Sequence, residues 1–115
     1  MNSQAIADQR EPLRTIIETI VQEIHPEQVI LFGSRATGTA QEQSDYDLLV
    51  VVRGVQNERE ISRRIYRALW KKRVGAAVDV VVVNPETLER HRETPFYVYH
   101  QALREGKVFY DHRRV

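Results

Sequence analysis

The apolar positions of this chain fall into two rhythms. Leu13, Ile16, Ile17, Ile20, Val21 and Ile24 recur at spacings of three and four. That is the stripe of an amphipathic helix. Pro12 suits its first position, and Pro26 ends it by disfavouring helical geometry in His25. A helix of about 13 residues is expected here. Val29-Ile30-Leu31-Phe32 is different: continuous, short and partly β-branched, it reads as a buried strand closed by Gly33-Ser34. Arg35 to Gly38 suits one helical turn starting at Ser34, and Thr39 to Ser44 is polar loop. Tyr46 to Val52 is a second buried strand, closed by Arg53-Gly54.

Asn57 to Arg73 reads as a helix, with Asn57 as N-cap. Glu58 and Glu60 lie in its first turn and Lys71, Lys72 and Arg73 in its last, as the helix dipole favours. Its buried stripe is read as Ile61, Ile65, Ala68, Leu69 and Trp70, and Gly75 as its stop. Ala77 to Val83 is a third strand. Asn84-Pro85-Glu86 opens a helix to about His91, and Thr94-Pro95 opens another over Phe96 to Arg104, stopped by Gly106. Lys107 to Tyr110 reads as a short edge strand. Residues 1–10 are expected to be frayed, and 111–115 a flexible polar tail.

Helices alternating with strands give an α/β (α+β) layer arrangement. The dozen residues from Gly33 to Asp45 are short for a crossover and ample for an antiparallel return. A single domain over residues 1–115, with a small mixed sheet of three to four strands flanked by helices, is therefore expected.

Composition narrows the class without changing it. The 115 residues, 42% hydrophobic and 29% charged, are those of an ordinary globular domain. A net charge of +1 gives no global case for a nucleic-acid partner. With no cysteine, disulfides and thiolate metal sites are excluded, and a cytoplasmic setting is expected. The apolar runs are far short of the roughly 20 residues that cross a bilayer. Residues 1–10 lack the apolar core of a signal peptide. The four histidines show no ligand clustering.

The chemistry gathers in one pattern. Asp45 and Asp47, two apart on a strand, project from one face about 7 Å apart at Cα. Two adjacent carboxylates repel each other unless a cation lies between them, and hard oxygens suit Mg²⁺. Asp79 is the lone charge in a seven-residue apolar strand, where a buried carboxylate costs several kcal/mol unless paired or metal-bound. With the second and third strands adjacent, the three carboxylates suit two Mg²⁺ ions. Gly33 permits close backbone approach, and Ser34 adds amide and hydroxyl donors for an anion. Arg35 is a further candidate phosphate contact. Each part has a plainer reading as a turn, a strand edge or an ion pair; the combination is what points to a site.

Gly33-Ser34, ten intervening residues and Asp45-Tyr46-Asp47, followed by Asp79, resemble the signature of the DNA polymerase β-like nucleotidyltransferases. The similarity is greatest to the minimal nucleotidyltransferases, the MNT antitoxins encoded beside HEPN toxins. The flanking Tyr46, Leu48, Val78 and Val80 fit as well. The resemblance implies a nucleotidyltransferase fold, with Gly33 and Ser34 at the triphosphate and Asp45, Asp47 and Asp79 at two Mg²⁺ ions. It also implies transfer of a nucleoside monophosphate, commonly AMP from ATP, to an acceptor hydroxyl. In the MNT branch that acceptor is a tyrosine of the HEPN toxin. A small acceptor of aminoglycoside type, or an antitoxin acting by contact alone, are the alternatives.

Arg53 to Arg73 holds eight basic residues against Glu58 and Glu60. It suits a solvated helix face with Arg stems over apolar surface, an acidic protein partner, or a nucleic-acid footprint. Phe96, Tyr97, Val98, Tyr99, Ala102 and Leu103 make the last helix apolar nearly all round, suited to burial or to a partner.

Overall fold

In the computed structural model, residues 10–95 and 98–114 are described. The elements run α1 (Leu13–Ile24), β1 (Gln28–Phe32), α2 (Ser34–Thr37), β2 (Tyr46–Val51), α3 (Glu58–Lys71), β3 (Val78–Val83), α4 (Pro85–Arg90), α5 (Val98–Glu105) and β4 (Lys107–Asp111). The strands form one sheet in the order β3-β2-β1-β4. β1 is antiparallel to β2 and to β4, and β2 is parallel to β3. The short connection and the helical crossover gave the mixed sheet that each allows.

The sheet separates two cores. On one face Ile16, Ile17 and Ile20 of α1 and Ile65 and Leu69 of α3 pack on Val29, Leu31, Leu48, Val50, Val80 and Val82. On the other, Leu88 of α4 and Ala102 of α5 pack on Ile30, Phe32, Leu49, Val51 and Val83. β1 and β2 are covered on both faces, which is why they read as unbroken apolar runs. Gly106 ends α5 tightly: a Cβ there would overlap Ala102 O and lie 2.6 Å from Ile30 Cγ2.

Local signals place the helix ends. His25 takes the left-handed conformation (φ 53°) before Pro26. Pro12 stands at the N-cap, one residue earlier than expected. The Asn57 side chain accepts from Glu60 N at 3.2 Å and that of Asn84 from Thr87 N at 2.7 Å. Three readings are corrected. α3 stops at Lys71, and Arg73 (φ 53°) takes the left-handed conformation two residues before Gly75, the expected stop. Trp70 is not in the buried stripe but 83% exposed. At 100° per residue it lies about 140° from Ile65, outside the core-facing arc.

The third correction is the tail. Asp111 closes β4 and is buried, with Arg113 Nη2 donating to its Oδ2 at 2.6 Å and Gln28 Nε2 at 3.2 Å. His112 N donates to Glu27 O at 2.9 Å. Asp111 is thus bonded to Gln28 of β1 and His112 to the preceding Glu27. The readings for residues 1–9, Phe96, Tyr97, Val115 and the Val98 side chain lie outside the described residues.

Replacing fully buried Ile20 with alanine is expected to cost about 2–5 kcal/mol of stability. Trp70→Ala should stay within about 0.5 kcal/mol. Urea unfolding of both variants checks the contrast.

Candidate active site

The site begins where β1 stops. Phe32 pairs with Asp47 across the antiparallel ladder, and Asp47 pairs with Asp79 across the parallel one. Phe32, Asp47 and Asp79 thus form one row across three strands, with neighbours about 4.8 Å apart. Asp45 precedes β2 by one residue, and Tyr46 turns to the opposite face, into the α1–α3 core. Asp45 and Asp79 are exposed and Asp47 is half-buried.

Gly33 closes the row. It sits at φ 74° and ψ −158°, a conformation side chains resist. A Cβ at Gly33 would overlap Asp47 Oδ2 and lie 3.1 Å from its Cγ. The backbone at the start of α2 therefore lies directly against the Asp47 carboxylate. Gly33 O accepts from Ala36 N at 3.0 Å and Thr37 N at 3.1 Å, which folds the turn carrying half-buried Ser34.

The electrostatics report the same clustering. Burial pushes the Asp47 carboxyl above its ordinary value, and the negative charges of Asp79 and Asp45 push it further. One correction concerns Asp79. β3 is an edge strand and Asp79 lies near its start, exposed. The cost of burial is therefore not what makes this carboxylate unusual. Its place follows from register with Asp47. Tyr66, which the sequence did not single out, helps hold that register: its hydroxyl accepts from Val80 N at 2.8 Å on the open edge of β3.

Arg35, the further candidate phosphate contact, is placed against main chain. Its guanidinium donates to Ser44 O from Nε (3.2 Å) and Nη2 (2.8 Å), and to Glu42 O at 3.0 Å. Its Cζ lies 4.3 Å over the Tyr46 ring. It is engaged with the 39–45 loop on the Tyr46 side of the sheet, not aimed at the carboxylates.

Among the described residues, no three His, Cys, Asp or Glu side chains converge as a closed metal-ligand set. The carboxylates form an open row instead. Their hard oxygens, the like-charge pressure on Asp47 and the cradle kept clear by Gly33 fit a divalent cation.

On the outer face of α3, Arg59, Arg63, Arg67 and Trp70 are exposed. Arg53 and Arg64 are instead paired with Glu27 and Glu23. No helix among the described residues is long and apolar enough to cross a membrane.

Residues 13–108 match the family described as Nucleotidyltransferase domain, and the chain belongs to that family. It is 33% identical over 86 residues to a Methanocaldococcus jannaschii protein provisionally named a protein adenylyltransferase. The match takes in 72% of this chain and 57% of that relative's length. A provisionally named nucleotidyltransferase from Sulfolobus solfataricus has a similar fold (TM-score 0.61, 22% identity, 87% of this chain and 78% of that one). So does a toxin–antitoxin crystallised with AMP-PNP (TM-score 0.54, 22% identity, 84% and 72%). A mutant of the toxin–antitoxin MntA–HpeT aligns at TM-score 0.56 with 21% identity, over 84% and 71%.

Because its folded value is raised, the stability that protonated Asp47 contributes is fully present below 3.8 and lost as pH rises through the raised value, so that the ionised group opposes folding. Asp47→Asn should therefore raise the melting temperature of the protein in EDTA at neutral pH. Gly33→Ala, which must displace Asp47, should lower it. Thermal melts of the two variants beside the native chain check both signs.

Proposed function

We propose that this nucleotidyltransferase moves AMP from ATP to a hydroxyl of a partner protein, the tyrosine of a HEPN toxin encoded beside it. It would thereby act as an antitoxin. The observation that carries this reading is the Phe32–Asp47–Asp79 row with Gly33 held against Asp47. A phosphate-sized turn beside an open row of carboxylates at one sheet end suits phosphoryl transfer, which depends on positioning and charge stabilisation.

In this reading Gly33 and Ser34 hold the triphosphate. The acceptor oxygen attacks the α-phosphorus, the bond to the β-phosphate oxygen breaks, and pyrophosphate leaves. The hydroxyl proton passes to Asp79. Mg²⁺, as two ions held by Asp45, Asp47 and Asp79, would lower the acceptor pKa and offset charge on the leaving pyrophosphate. Exposed Asp45 and Asp79 leave the row open to an acceptor as large as a protein. The exposed arginines and Trp70 of α3 are of the residue types that dominate protein interfaces, which supports a protein partner over a nucleic acid. The setting is the cytoplasm, where ATP is supplied and a cysteine-free chain is at home.

Incubation with ATP, Mg²⁺ and the adjacent gene's product should add one or more AMP units to that product by mass spectrometry. Asp45→Ala combined with Asp47→Ala should abolish the gain and the protection of cells. Full protection by the double variant would show neutralisation by contact and overturn the reading.

A further inference from the structure

We propose that Arg35 is a positioning residue that locks the 39–45 loop, and with it the approach to Asp45, onto the Gly33–Thr37 turn. It is not a phosphate ligand. Three observations carry this. First, its planar fork is engaged by two carbonyls, with two bonds to Ser44 O and one to Glu42 O. Second, the remaining face of the guanidinium lies on the Tyr46 ring, a stacked arrangement that attracts a cation. Ser44 and Tyr46 flank Asp45, so Arg35 grips the chain on both sides of that carboxylate. Third, the hold continues across the sheet. Tyr46 N donates at 2.9 Å to Ala77 O, two residues before Asp79.

The loop needs such a hold. Within it, Ser44 N donates to Gln41 O at 3.0 Å and Gln41 N to Ser44 Oγ at 2.8 Å, which forms a local turn. Those bonds shape residues 41–44 but do not fix where they sit. Arg35 does, and since it directly follows Ser34, the phosphate turn and the carboxylate strand move as one body. Lysine cannot substitute: an ammonium lacks the flat fork that reaches two carbonyls while stacking on a ring.

The experiment uses the full chain with Arg35→Ala and Arg35→Lys. Amide hydrogen exchange should accelerate about tenfold or more over residues 39–45 in both variants, as expected for losing several charge-assisted bonds. Exchange at Leu48 and Leu49 should be unchanged. Mn²⁺ affinity, read by electron paramagnetic resonance, should fall in both. Only this second arm rests on the proposed function: a native chain that binds no Mn²⁺ would count against that function, while the exchange arm still decides the role of Arg35. Loop exchange that stays at the native rate in both variants would overturn the proposal. So would native loop protection and native Mn²⁺ affinity in Arg35→Lys, since that would make the charge, not the fork, the working part. Should Arg35→Ala fail to fold, Arg35→Lys against the native chain gives the same reading.

Discussion

Gly33 has no space for a side chain, and the rest of the site follows from that. The volume a Cβ would fill is held by the Asp47 carboxylate. For backbone and carboxylate to come so close, β1 must end opposite the start of β2, and the chain must turn through a positive φ. The antiparallel pairing of β1 with β2 supplies the first condition and glycine the second. The parallel pairing of β2 with β3 then brings Asp79 to the same row. A one-residue slip in either ladder would send one carboxylate to the α1–α3 face. The two apolar cores prevent the slip, because each strand residue has a face it must occupy.

The price of this arrangement is electrostatic. Burial and two like-charged neighbours hold Asp47 in a state that resists ionisation. Without a cation, the fold carries a repulsion that its cores must outweigh. A ligand that neutralises the row would bind and stabilise at once, so occupancy and stability are linked. Arg35 and Tyr66 belong to the same economy of position. Each uses its polar atoms on main chain, at the 39–45 loop and at Val80, next to a carboxylate of the site.

Most of the framework was legible in the sequence because periodicity and caps act locally. The α1 stripe, the Asn57 and Asn84 caps and the paired apolar runs of β1 and β2 each carry their own instruction. The Gly-Ser and Asp-x-Asp spacing likewise showed where a site could form. Trp70 was misjudged because its size outweighed its angle on the helix. Asp79 was singled out for the wrong reason: the strand around it is apolar, yet it is an edge strand, and strand order is a tertiary fact. The tail looked polar and loose, but Arg113 and Gln28 hold Asp111 with its carboxyl well below the usual range. Arg35 beside a phosphate-sized turn suggested an anion. The carbonyls it reaches, seven and nine residues on, become its neighbours only when the loop folds back.

Asp47 and Asp79, opposite each other across one ladder, should each feel the other's charge. A double-mutant cycle measures this, with Asp47→Asn, Asp79→Asn and the pair unfolded in EDTA at neutral pH. Either single replacement should relieve the shared repulsion. The pair should then be less stable than the sum of the two single gains predicts. Strictly additive effects would mean that the two carboxylates do not sense each other and that no shared repulsion exists at the row.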